Sequence, residues 1–117
     1  MKAIVEVAKR GAAIRSARQQ LAGARRGQPP DFHLSFESAR TLFSELTPAR
    51  VDLLDTLRRV GPGSVYALAK AAERNYSNVH SDVARLEELG LVERTEDGSV
   101  SVPFDSVEIL VPLAQHA

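Results

Sequence analysis

The sequence has no cysteine and no tryptophan, one methionine, and only two tyrosines and four phenylalanines among its 117 residues. Without cysteine, disulfides and thiolate metal centres are excluded, and the composition fits a reducing, cytoplasmic setting. With so few aromatics, the core has to be built from Leu, Val, Ile and Ala. No apolar run approaches the roughly 20 residues of a membrane-spanning helix. The N-terminus scatters its lysines and arginines instead of setting them ahead of an apolar block, so no secretory signal is expected. Net charge is missing too, since 15 basic residues balance 15 acidic ones. A neutral total argues against strong non-specific attraction to nucleic acid.

The charge is nevertheless unevenly placed. Residues 1–30 hold Lys2, Lys9, Arg10, Arg15, Arg18, Arg25 and Arg26 against Glu6 alone, a balance of +6, which leaves −6 for residues 31–117. A basic arm on an acidic body points to a nucleic-acid contact, an acidic partner or internal neutralisation. Catalytic and cofactor chemistry finds little support. His33, His80 and His116 are far apart, so no metal site is expected. Gly61-Pro62-Gly63 lacks the Lys-Ser/Thr that follows a phosphate-binding loop. No paired carboxylates or Ser–His–Asp arrangement stands out. The chain reads as a non-enzyme without a cofactor.

Length predicts one compact core. From Ala3 to Arg26 the chain is rich in helix formers, with Ile4, Val7 or Ala8, Ile14 and Leu21 as a thin apolar stripe. This predicts an N-terminal helix or arm over residues 1–30, closed by Gln28-Pro29-Pro30. Phe32–Phe36 alternates with period two and predicts a strand. Ser38 is placed to cap a short helix to about Glu45, with Ala39, Leu42, Phe43 and Leu46 inward. Thr47-Pro48 is a helix start, with the hydroxyl as cap and proline at the first position. Val51, Leu54 and Leu57, flanked by Leu53 and Val60, are its expected buried face, and Gly61-Pro62-Gly63 ends it. Ser64 caps a further helix burying Val65, Leu68, Ala69 and Ala72.

The stretch from Asn75 to Arg94 organises the rest. Ser77 reads as an N-cap, Val79, Val83 and Leu86 as one buried stripe, and Gly90 as the terminator. A recognition helix over about 77–89 would then show Asn78, Ser81, Asp82 and Arg85 outward, with Tyr76 and His80 at the edges. Asn, Ser, His and Arg suit the base edges of a DNA major groove. Two short helices joined by a tight turn make a helix-turn-helix. Residues 91–102 follow as a hairpin, or wing, with Asp97-Gly98 at its turn and both central residues expected at positive φ. Val107, Ile109, Val111 and Leu113 alternate as an edge strand. It is expected to pair with Phe32–Phe36 in the same chain or in a partner, and invites dimerisation.

Helix, Gly-Pro-Gly turn, helix, polar helix, Leu86-Glu87-Glu88-Leu89-Gly90-Leu91-Val92 and an Asp-Gly wing together resemble the winged-helix transcriptional regulators, especially the MarR-like and ArsR-like group. The similarity covers about Thr47 to Val102. The larger frame, Phe32–Glu37 before it and Phe104–Leu113 after it, looks like a small prokaryotic family of winged-helix DNA-binding proteins thought to be antitoxins. The resemblance implies a mainly α fold with a small β component, with residues 31–117 as the winged helix-turn-helix domain and the arm and flanking strands attached. It implies that Tyr76, Ser77, Asn78, His80, Ser81 and Arg85 face DNA, with Lys70 and Arg74 near phosphates and Arg94 at the wing base. Glu96 and Asp97 depart from a basic wing tip and speak against minor-groove insertion.

Two functions follow. One is a dimeric, sequence-specific DNA-binding regulator. The other is a protein-interaction module, a toxin-neutralising antitoxin whose partner is a cognate toxin and whose DNA binding is autoregulatory.

Overall fold

The computed structural model describes residues 1–8 and 30–114. Where the sequence suggests one core, the chain forms two compact units, Met1–Glu45 with Phe104–Ala117, and Leu46–Pro103.

The first unit is built on a three-stranded parallel sheet. Strands β1 (Lys2–Val7), β2 (Phe32–Phe36) and β5 (Ser106–Leu110) lie in the order β2-β1-β5. The expected N-terminal helix is therefore wrong at its start. Ile4, Val5 and Val7 are β-branched and favour extended backbone, and Ala3 and Val5 alternate inward and are fully buried. The remainder of the expected helix, with Lys9, Arg10, Arg15, Arg18, Arg25 and Arg26, lies outside the described residues. The terminal strand pairs with β1 (Ala3 beside Val107, Val5 beside Ile109), not with β2. β1 takes the central place, with Ala3 beside Phe32 and Val5 beside Leu34 on its other side. Charges pin it there: the N-terminal amine meets Asp105 at 2.8 Å, and Lys2 Nζ meets Glu108 at 3.2 Å. Helix α1 (Ala39–Glu45) is capped by Ser38, whose Oγ accepts from the Thr41 amide at 3.1 Å. Leu42 is its buried residue, while Phe43, expected inward, is exposed.

The second unit contains α2 (Pro48–Val60), α3 (Val65–Ala72), α4 (Tyr76–Glu88) and a two-stranded antiparallel hairpin, β3 (Glu93–Arg94) and β4 (Val100–Ser101). Thr47 Oγ1 and Ser64 Oγ accept from the amides of Arg50 and Ala67, as their spacing requires. On α2, Leu53, Leu54 and Leu57 are buried, but Val51 and Val60, expected inward, are exposed. The Leu53/Leu54–Leu57 arc is already a full core stripe. Ala72 on α3 is only half-buried.

Glu73 leaves α3 in the left-handed region at φ 53°. Asn75, not Ser77, then caps α4: its side chain accepts from the Asn78 amide at 3.1 Å. Both residues are good caps, and the earlier one sits in extended backbone, so the helix begins at Tyr76. Gly90 closes α4 at φ 85°, with the Leu91 amide reaching back to the Leu86 carbonyl at 2.9 Å. In the hairpin only Gly98 has positive φ, at 87°. Asp97 does not, so the expected two-residue turn is instead a three-residue loop with the left-handed glycine last. Gly63 bridges Val100 in an antiparallel pair, adding a third short rung to the hairpin. Helix, turn, outward helix and hairpin in this order are a winged helix-turn-helix, in an α+β fold.

Candidate nucleic-acid interface

α4 turns its stripe of Val79, Val83 and Leu86 fully inward. The opposite flank remains open: Tyr76, Ser77, Asn78, His80 and Ser81 are exposed, and Arg85 is half-exposed. Asp82 does not join them, although the sequence reading set it outward. It lies three residues after Val79 and four before Leu86, a spacing that marks it as a residue at the edge of the stripe.

Asp82 is clamped by two arginines. Arg50 Nε donates to Oδ1 at 3.0 Å, and an Arg74 Nη donates to Oδ2 at 2.8 Å. The side chains of Arg50, Asp82 and Arg74 are only 19%, 17% and 30% exposed. Burial alone would push the Asp82 carboxyl up. The hydrogen bonds from Arg74 and Arg50, and their charges, overcome that and hold it below the usual carboxylate range. The clamp joins α2, the connection between α3 and α4, and the middle of α4. It sets how α4 lies on its scaffold. It also takes Asp82 off the exposed face, where it would repel phosphate. Arg74 Nη1 is buried and has no acceptor among the described residues, so this arginine is turned into the unit rather than spread on its surface.

The remaining expected site residues are placed as follows. Arg85 is paired with Glu88 at 3.0 Å. Arg94 Nε reaches Glu87 at 2.8 Å and Nη1 the Gly98 carbonyl at 3.2 Å, which ties the end of α4 to the hairpin. Lys70 Nζ lies 5.2 Å from the centre of the Tyr66 ring. Tyr66 was absent from the sequence-derived site, yet its ring centre is 6.3 Å from that of Tyr76, which in turn is 5.8 Å from His80. The i, i+4 spacing of Tyr66 with Lys70 and of Tyr76 with His80 was legible; that the two pairs meet was not.

At the wing tip, hydrogen bonds from the Thr95 hydroxyl and then the Ser99 amide hold the exposed Asp97 carboxyl below its usual range. The tip is therefore anionic at neutral pH. Among the described residues no cluster of three or more His, Asp or Glu is arranged to hold a metal ion, and no helix is long and apolar enough to cross a membrane.

No functionally curated protein matches this chain. One solved structure similar to it is the solution structure of Mb0332 from Mycobacterium bovis (fragment 1–100), described as a homodimeric winged helix-turn-helix DNA-binding domain and a possible ArsR-family transcriptional regulator. Identity is 21%, the match covers 81% of this chain and 71% of that one, and the TM-score is 0.47. The match that places the chain is one of sequence. Residues 45–109, from the last residue of α1 into β5 and just over half the chain, fit the model of the HVO_A0114 family, and the protein belongs to that family.

Proposed function

We propose that this protein is a sequence-specific DNA-binding transcriptional regulator that acts as a dimer, with α4 in the major groove. The observation that carries the reading is the open flank of α4. Exposed Ser77, Asn78, His80 and Ser81 share it with Arg85, while the one acid in the middle of the helix, Asp82, is turned away and neutralised. Lys70, on α3, and Arg94, at the hairpin base, are the basic side chains assigned to phosphates in such a docking. Arg74 contributes by holding Asp82. The anionic wing tip stays outside the groove.

Arg85 carries the sharpest test. Its pair with exposed Glu88 is worth a few tenths of a kcal/mol, whereas a bidentate contact with guanine O6 and N7 is worth about 1–3 kcal/mol. DNA therefore outcompetes the glutamate. Arg85→Ala is expected to weaken the preferred site about 5- to 150-fold in a binding titration, and random DNA far less. Equal losses on both would remove base reading by this residue.

The dimer belongs to the same reading. β5 is an outer strand of its sheet, and its Ile109 and Leu110 side chains are 42% and 53% exposed. Glu108, a charge of the kind that blunts sheet edges, is neutralised by Lys2. We place a second copy of the chain along this edge. Ile109→Lys is expected to halve the sedimentation mass while leaving the circular dichroism unchanged; an unaltered mass would put the dimer contact elsewhere. A cognate toxin is the rival occupant of the edge. Its capture in place of a second copy, on purification from native cells, would favour the antitoxin function.

A further inference from the structure

Both tyrosines of the chain come to one surface. Tyr66 on α3 and Tyr76 at the start of α4 are 60% and 49% exposed, with ring centres 6.3 Å apart. In a protein that is only 5% aromatic, leaving both rings in water forgoes burial of large apolar area. His80 extends the row at 5.8 Å from Tyr76, and Lys70 steadies the other end from 5.2 Å over Tyr66. The first six residues of α4, Tyr76 to Ser81, carry no formally charged side chain other than the titratable His80. This end of the helix therefore has no arginine or lysine with which to grip guanine O6 and N7.

Within the DNA-binding reading, on which this inference rests, we infer that the Tyr66–Tyr76 ring pair packs against the C5-methyl group of a thymine. That methyl is the apolar feature of the major groove. Exposed Asn78, two positions on and so on another side of the helix, has the amide that matches adenine N6 and N7. Arg85 lies nine residues beyond Tyr76 along α4. At about 1.5 Å per residue this is roughly 14 Å, about four base-pair steps of 3.4 Å. Each half-site thus carries an A·T pair read at the N-terminal end of α4 and a guanine, read by Arg85, within about four base pairs of it.

The test uses the full chain and a site enriched from random duplexes. Each thymine of that site is replaced in turn by deoxyuridine, which removes the methyl and leaves base pairing intact. At one position per half-site the replacement is expected to weaken binding about fourfold, the equivalent of one buried methyl-sized group. Tyr76→Ala should bind the site more weakly and treat thymine and uracil there alike, whereas Tyr76→Phe, which keeps the ring, should keep the discrimination. A site whose thymines can all be replaced without loss overturns the methyl contact alone. So does a Tyr76→Ala variant that still discriminates fourfold. If no sequence is enriched, the DNA-binding reading falls, and this assignment with it.

Discussion

Replacing Asp82 with alanine is expected to destabilise the helix-turn-helix unit by about 2–3 kcal/mol, read from urea unfolding at neutral pH. The substitution removes the acceptor of two charge-assisted hydrogen bonds from two half-buried guanidinium groups. A charged hydrogen bond contributes about 1.5–3 kcal/mol, and breaking a buried ion pair from one side costs about 3–5 kcal/mol. The partial exposure of these groups puts the estimate below that ceiling. The same contact has a pH signature. Asp82 is held below its ordinary range in the folded state, so its contribution is fully present above the unfolded-state value of about 3.9. It is lost as the pH falls below that value and through the lower folded one. Asp82→Asn should therefore be weaker than wild type at pH 7 and converge on it at strongly acid pH. A constant gap between the two across that range would mean that the carboxylate charge is not what the arginines hold. Because the clamp fixes α4 to α2, the asparagine variant should also lose affinity for an enriched DNA site, although Asp82 is not one of the residues proposed to face DNA.

Leu86→Ala is the larger perturbation. Leu86 is fully buried on the α4 stripe, and its carbonyl receives the Leu91 amide that closes the helix. Truncating a buried leucine costs about 2–5 kcal/mol, from lost transfer energy and from the cavity left behind. Against a total of about 5–15 kcal/mol for a typical domain, that is a large share, and for a unit of about 60 residues it lowers Tm by at least about 10 °C. Leu86→Met, which keeps most of the volume, should cost under about 1.5 kcal/mol. If alanine and methionine proved equally mild, the stripe would not be the core of this unit.

Several features could be read directly from local chemistry. Thr47-Pro48 and Ser64 are caps because a hydroxyl sits one residue before a helix-forming run, and the structure uses both. Val79, Val83 and Leu86 are buried because their spacing allows no other common face. Gly90 and Gly98 stand where the backbone enters the left-handed region. The errors cluster where two local signals compete. Asn75 and Ser77 are both competent caps, and the choice between them depends on where the preceding turn delivers the chain. The N-terminal segment holds a β-branched run inside a stretch of good helix formers. The strand won there because β1 has hydrogen-bonding neighbours on both sides, β2 and β5, which arrive from distant parts of the sequence.

The sequence by itself determined the winged helix-turn-helix fold, with its outward helix and its hairpin, because these depend on caps, stripes and turn residues within a few positions of one another. Only the tertiary structure decided that β1 is a central strand, that Asp82 is drawn inward by Arg50 and Arg74, and that Tyr66 meets Tyr76. Each of these joins residues on different elements. Periodicity shows which face of a helix is polar, but not which charged group on another element will claim a residue at the edge of that face. That is settled by the packing of the helices.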